Sequence, residues 1–439
     1  MAQLWLWGQN NYGQLGDNTT DDKSSPIQTI AGGSDWVAVA GGYDMTLALK
    51  NDGTVWSWGF DSHGALGQNT ENVDLSSPTQ IGTDTDWAFI NASNWYWGIC
   101  AGIKNDGSLW LWGYNNYGNL GDDTSDDKSS PVQTVAGGND WASVSCSANH
   151  TGAIKTDGTL WMFGRNTYGE LGDDSIDQKS SPVQTIAGGN DWAQVSCSRR
   201  NTAAIKNDGT LWLWGRNSEG QLGAENTVNV SSPVQTICGG NNWAQVSVGR
   251  YFTGAIKTDG TLWMWGGNSY GALGTGDTQD YSSPVQTICG GNNWAQVSCG
   301  YDFTAALKTD GSLWVWGRNG DGQAGNESTI DISSPVQTVA GGNGWTFVST
   351  GYHGTTALGS AYNNYQIKLT PPNRNEGTEG YMDYWIVGGK SIQRSGYIET
   401  TDGIQIRKVN EAMDGDTITN EPEKLTDLQN NGHYFIVEN

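Results

Sequence analysis

Between residues 243 and 288 the apolar positions change rhythm four times. Ala244, Val246 and Val248 alternate with polar neighbours, the period of a strand with one buried face. Thr253-Gly254-Ala255-Ile256-Lys257 reads as a second strand, its small residues predicting that it crowds an axis. Asp259-Gly260 suits a tight hairpin, because glycine tolerates positive φ. Leu262-Trp263-Met264-Trp265 is apolar at every position and predicts a third strand buried on both faces. A long polar loop fills 268–283. Pro284 then opens a fourth strand over 284–288, where a missing N–H is tolerated.

The same sentence recurs seven times. Trp-x-Trp-Gly begins at Trp5, Trp56, Trp110, Trp161, Trp212, Trp263 and Trp314, with Phe163 as second ring in the fourth copy. The copies lie 51 residues apart, except for one step of 54. Four short antiparallel strands repeated at such a period predict an all-β protein, a propeller of seven blades. A Lys-x-Asp-Gly turn precedes the motif in six copies only, ending at Gly53, Gly107, Gly158, Gly209, Gly260 and Gly311. The missing turn would join Leu358 to Leu4. An open solenoid needs capping repeats. Here the two ends look like halves of one broken hairpin, so 355–358 should pair antiparallel with 3–7 and close the ring.

Antiparallel connections sort the loops onto two faces. The Asp-Gly turns and Gly-Gly-Asn links share one face and repeat nearly letter for letter. The long loops and the short loops after the first strand share the other and vary. The short loops carry Tyr43-Asp44, Trp95-Tyr96-Trp97, Arg199-Arg200, Arg250-Tyr251, Tyr301-Asp302 and Tyr352-His353. Aromatic rings and arginine are what binding hot spots use. The other reading is that each ring packs on its neighbouring blade. Trp95, Tyr96 and Trp97 lie in the one in-repeat insertion, three residues within 92–98, and are the leading anchor. Their alternative role is to plug the central channel.

Composition sharpens this picture. Thirteen of the 23 tryptophans lie in the motifs, and seven more hold one slot per repeat, at Trp36, Trp87, Trp141, Trp192, Trp243, Trp294 and Trp345. All twenty read as core. The net charge of −24 disfavours nucleic acid and membrane insertion as partners, since those call for a basic footprint or an apolar span. Six cysteines exchange with Ala, Val or Thr in equivalent slots and read as small half-buried residues. No secretory signal is visible. The four histidines have no triad or metal spacing, and no phosphate loop or nucleophile elbow occurs, so neither catalysis nor a cofactor is expected. Acidic runs at 17–23, 122–128 and 173–179 offer calcium-type ligands but lack its loop grammar and read as solvated loops.

The composite of Asp-Gly-Thr-Leu-Trp-x-Trp-Gly, Asn-x-x-Gly-Gln-Leu-Gly, Ser-Ser-Pro-Val-Gln and Gly-x-x-x-Thr-x-Ala-Ile-Lys resembles the repeat of regulator of chromosome condensation 1 over 1–359. The resemblance implies a closed seven-bladed propeller. It also implies one of several roles: guanine-nucleotide exchange factor, ubiquitin-ligase module, plant ultraviolet receptor or interaction platform. Fold alone does not choose among them. The exchange factors' β-insertion has no counterpart here, and the family's His-Thr pair survives only as His150-Thr151. The receptors' clustered Trp and Arg are echoed by Trp95, Trp97, Arg199, Arg200 and Arg250. Short, nearly identical copies resemble bacterial and viral versions. The expectation is therefore a non-enzymatic virion component of a bacteriophage, in tail, fibre or capsid decoration, binding other virion proteins or a host surface receptor. The alternatives are a cytoplasmic exchange factor for a small GTPase and a bacterial adhesin.

Periodicity stops near Ser360. Segments 365–369, 381–387, 397–409 and 434–437 read as strands and 422–431 as a short helix. Residues 360–439 should form a small β-rich domain.

Overall fold

The computed structural model describes residues 2–359 and, beyond them, the strands Leu369–Thr370, Tyr397–Ile398, Gln405–Val409 and Tyr434–Glu438. The chain divides into two compact units, Met1–Ala361 and Tyr362–Asn439. In the second unit Leu369 pairs with Ile398, and Gln405–Val409 pairs antiparallel with Tyr434–Glu438. Segment 381–387 and the helix expected at 422–431 lie outside the described residues.

The first unit is a ring of seven four-stranded antiparallel sheets. Six blades are continuous in sequence: 36–80, 87–133, 141–184, 192–235, 243–286 and 294–337. The seventh takes Trp345–Thr350 and Gly354–Gly359 from one end of the ring's sequence and Gln3–Gly8 and Lys23–Gln28 from the other. Leu4 faces Leu358, Trp5 faces Ala357, Leu6 faces Thr356 and Trp7 faces Thr355, as the broken hairpin requires.

The axis is lined by the strand that begins with the single tryptophan, from Trp36–Gly41 round to Trp345–Thr350. Each packs against its equivalent in both neighbouring blades. The small residues of the second strand serve a different purpose from the one their size suggested. A Cβ added to Gly152 would strike Met162 of its own blade and Val195 and Cys197 of the next blade's inner strand. The second strand is thin so that the neighbouring blade can lie on it. Polar side chains tie the inner strands together. Ser145, Ser196, Ser247, Ser298 and Ser349 each accept from a backbone N–H one blade on, at 2.9–3.2 Å, and Asn91 does so at 2.7 Å.

The second ring of the motif is the staple between blades. Trp7, Trp58, Trp112, Trp214, Trp265 and Trp316 are fully buried or nearly so. Each indole N–H donates to a backbone carbonyl of the preceding blade, at 2.7–3.0 Å. Threonine hydroxyls such as Thr202 and Thr253 donate to the same carbonyls. Phe163 fills the slot but cannot donate. The glycine over each ring, Gly172 over Trp214 for example, has positive φ and leaves no room for a Cβ. The first ring of the motif departs from expectation. In the six continuous blades it is only half-buried, and a lysine lies over it, as Lys50 does over Trp56 at 4.9 Å and Lys308 over Trp314 at 4.6 Å. Four cysteines are buried, whereas Cys238 and Cys289 are exposed rather than half-buried.

Candidate functional site

The Asp-Gly face is built from one set of bonds used six times. In the turn at Asp52, the Thr54 amide and hydroxyl both donate to the Asp52 carboxylate, and Trp56 Nε1 donates to the Thr54 hydroxyl. Those donors hold the aspartates, Asp157 and Asp208 among them, below the usual carboxylate range. Each turn satisfies itself locally.

The opposite face is organised differently. One asparagine shapes six of the seven long loops, and Asp61 takes its place in the first blade: Asn10 Oδ1 accepts from Leu15 N, and Asn10 Nδ2 donates to Asp17 and to the Thr19 carbonyl. Asn115 and Asn166 repeat the arrangement with Asp122 and Asp173. Burial works to raise Asp17 and Asp122. Hydrogen bonds from Thr19 and Asn10, or from Thr124 and Asn115, together with Lys23 or Lys128, outweigh it and hold them low. The leading carboxylates of the acidic runs are thus acceptors within their own loops. No group of His, Cys, Asp and Glu suited to a metal occurs among the described residues.

The insertion after Ile90 crosses the mouth of the channel. Trp95 leaves the second blade and stacks on Tyr301 of the sixth, centroids 4.8 Å apart, with Tyr352 of the seventh edge-on at 5.7 Å. Arg199 of the fourth blade lies over its ring at 4.2 Å and Arg250 of the fifth at 5.4 Å. Asn94 Nδ2 reaches the Cys299 carbonyl at 3.3 Å. Trp95 is therefore 9% exposed. It lies across the channel mouth and is not presented to solvent. Trp97 stacks on Tyr114 at 4.8 Å and is half-buried. Tyr96, 49% exposed, is the outward ring of the three.

Around this plug the face has two halves. On the blades from the seventh to the second it is aromatic. Tyr43 touches Tyr96 at 4.9 Å and Tyr352 at 4.7 Å, Tyr12 packs on Phe60 at 4.4 Å, and Tyr301 lies 3.8 Å from Tyr352. Burial raises the Tyr43 and Tyr352 hydroxyls well above the ordinary phenol range. Asp44, buried with φ +47°, bonds His353 Nδ1 at 3.0 Å and Gln14 Nε2 at 3.2 Å, beside a small cleft. The other half, on the third to sixth blades, holds Arg165, Arg199, Arg200, Arg216, Arg250 and Arg318. Arg250 pairs with Asp302 at 3.3 Å and covers Tyr301 at 4.1 Å and Tyr251 at 4.3 Å. Burial lifts Asp302 to about 6 although Arg250 and Arg318 pull it down. Glu170, fully buried, is lifted by burial to about 7.

The structure thus draws Tyr43, Trp95, Tyr96, Tyr301, Tyr352, Arg199 and Arg250 together at the channel mouth. Tyr251 and Arg200 flank them, Asp44 and His353 form a pair at the seam, and Asp302 serves Arg250. Much of this ring set packs on neighbouring blades. Phe60, Tyr114, Arg165, Arg216 and Arg318 complete the face and were not singled out by sequence. All five follow Trp-x-Trp-Gly or Trp-x-Phe-Gly directly, a slot whose variation was the available signal.

The RCC1-like domain family matches residues 97–366, and the regulator of chromosome condensation (RCC1) repeat matches 2–49 and 52–93. The ultraviolet-B receptor UVR8 of Arabidopsis thaliana is 32% identical over 339 residues, covering 75% of this chain and 76% of the receptor. The human E3 ubiquitin-protein ligase HERC2 is 26% identical over 349 residues, 77% of this chain but 7% of the ligase. Among solved structures, yeast RCC1 (Prp20) bound to Kap60 superposes with a TM-score of 0.72 at 18% identity, over 82% of this chain and 88% of that one. Human WBSCR16 superposes with a TM-score of 0.68 at 20% identity, over 82% and 99%.

Proposed function

This chain belongs to the RCC1-repeat family, and from that premise we propose that it is a non-enzymatic protein-binding propeller whose loop face meets the partner. One observation carries the reading. The blades repeat in sequence, bonding and burial, yet the short loops ringing the channel vary: apart from the shared Gly-Tyr-Asp at 42–44 and 300–302 they differ from one another, chiefly in aromatic rings and arginines. Variation confined to one face of a uniform scaffold suits recognition. The relatives fit a binding role. One solved structure holds yeast RCC1 with Kap60, and another concerns the binding of the yeast protein Prp20p to Gsp1p and histones.

The finer proposal is a place in a bacteriophage particle, as a tail, fibre or capsid-decorating component that binds other virion proteins or a host surface receptor. The brevity and near identity of the repeats and the acidic surface support it. Mass spectrometry of purified particles tests it; absence from the virion ends it. The second reading is a regulator that exchanges nucleotide on a small GTPase, favoured by the likeness to the X-linked retinitis pigmentosa GTPase regulator homolog of Caenorhabditis elegans, 26% identical over 346 residues. Stimulated nucleotide release across a GTPase panel would establish that reading in its place. In either case Tyr96→Ala should weaken the complex.

A further inference from the structure

The six arginines of residues 1–359 all lie on the loop face of four consecutive blades, and the other three blades have none. The nine lysines of the same region sit in the outer strands or at the Asp-Gly end of the second strands. Three arginines have carboxylate partners: Arg216 with Glu219 at 3.4 Å, Arg250 with Asp302 at 3.3 Å and Arg318 with Asp321 at 3.7 Å. Arg199 and Arg200 form no ion pair among the described residues. Aromatic faces hold them instead. Arg199 lies 4.2 Å from the Trp95 centroid and Arg200 5.1 Å from that of Tyr168. Burial and the charges of Arg200 and Arg250 pull Arg199 below the usual guanidinium range.

This arrangement is costly for the fold alone. Arg199 and Arg200 lie side by side and half-buried with no carboxylate at ion-pair distance, although the chain carries 46 acidic residues; buried Glu170 acts on Arg200 only through space. A ring stacked beneath a guanidinium fixes its plane and leaves its in-plane N–H edge for an acceptor. The acceptor that matches that edge is a planar oxyanion able to take two bonds.

We propose that Arg199 and Arg200, braced by Trp95 and Tyr168, form a carboxylate-binding site at the channel mouth that docks an Asp- or Glu-containing loop of a protein partner. The proposal rests on the loop-face reading above and specifies its chemistry. A protein loop is favoured over nucleic acid or an anionic membrane. The patch is small, and the long loops around it carry Asp123, Asp174 and their neighbours, which repel an extended polyanion. Tyr96 continues the insertion next to Trp95 and offers an apolar contact for the residue adjoining the partner's carboxylate.

The test is a random-heptapeptide selection on the whole protein, followed by binding assays of the selected peptides against Arg199→Gln/Arg200→Gln. That double variant keeps the first two methylenes of each stem and removes both charges. Arg199→Lys/Arg200→Lys is measured beside it, with melting curves for each. The expected result is enrichment of Asp and Glu, at least a tenfold loss of affinity in the Gln variant at a melting temperature no lower than that of the parent, and no full rescue by lysine. Three results overturn the proposal: no acidic enrichment, equal binding by the Gln variant, or a fluorescent 20-bp DNA duplex that outcompetes the peptides at the same arginines. Peptides lost with Tyr96→Ala but indifferent to the arginines would remove the carboxylate site and leave the loop-face reading standing. Peptides that protect only the Asp-Gly turns from hydrogen exchange would remove both.

Discussion

The two faces of the ring are made by the same seven blades and solve opposite problems. On the Asp-Gly face each turn aspartate finds its hydrogen-bond partner two residues on, and one solution is copied six times. On the loop face the long loops also close on themselves, but the groups at the channel mouth take partners from other blades and differ from loop to loop. Gln14 reaches Asp44, Asn119 reaches the Ala148 carbonyl, and Glu170, in the equivalent slot, keeps one buried oxygen unpartnered. A locally satisfied face holds the scaffold and has nothing left to offer. A face satisfied across blades can be rewritten one loop at a time.

The largest effect should come from breaking the ring that both faces share. Deleting residues 1–8 removes the strand that pairs with Gly354–Gly359 and leaves two sheet edges open. The melting temperature should fall sharply, and near-ultraviolet circular dichroism should show loss of tryptophan packing throughout. An unchanged melting curve would contradict closure. Next is the plug. Trp95→Ala removes a buried ring that touches four other blades and should cost about 3–5 kcal/mol in denaturant unfolding. A cost near zero would return Trp95 to the role of a solvent-facing anchor.

The faces should also answer pH differently. Burial raises Glu170 to about 7 from an ordinary value near 4.5. Because the folded value is the higher one, stability is fully present below about 4.5 and declines as the pH rises through 7. Gln14, Gln221 and Gln323 occupy the same slot, and each accepts the backbone N–H that Glu170 accepts from Tyr168. Glu170→Gln should therefore stabilise the protein at pH 8 by up to about 3 kcal/mol and leave it unchanged at pH 4. Equal gains at both values would disprove ionisation as the cause. On the other face, Gly158→Ala places a Cβ about 2.2 Å from the Asn190 carbonyl at φ +81°. It should cost roughly 1–3 kcal/mol while leaving partner binding intact. The smallest stability effect, within about 0.5 kcal/mol, belongs to Tyr96→Ala, whose consequence should appear only in binding.

The blade, the period and the seam at Leu4 and Leu358 were all legible in the sequence, because each rests on patterns that repeat or fail to repeat. The order of strands from axis to rim was not. Both the first and second strands are short and half apolar, and only packing between blades reveals which one Gly152 makes room for. The burial of Trp95 was equally hidden, since its neighbours Arg199, Arg250, Tyr301 and Tyr352 come from four other blades. The gathering of arginines into one arc was readable all along, Arg165, Arg216 and Arg318 from the residue after the motif and Arg199, Arg200 and Arg250 from the short loops.

The seventh blade has a consequence in time. Gln3–Gly8 leaves the ribosome long before Gly354–Gly359 exists. At about 5–20 residues per second the wait is on the order of 20–70 s. Throughout it, an apolar strand with five buried positions lacks its partner. Six other second strands of the same length and place in the blade emerge in the interval, and a polysome holds the same segments on neighbouring nascent chains. The yield of closed rings is then a race between intramolecular closure and exchange of this strand with a neighbour. Slower initiation, which spaces the ribosomes, should favour the monomeric ring over a strand-swapped one.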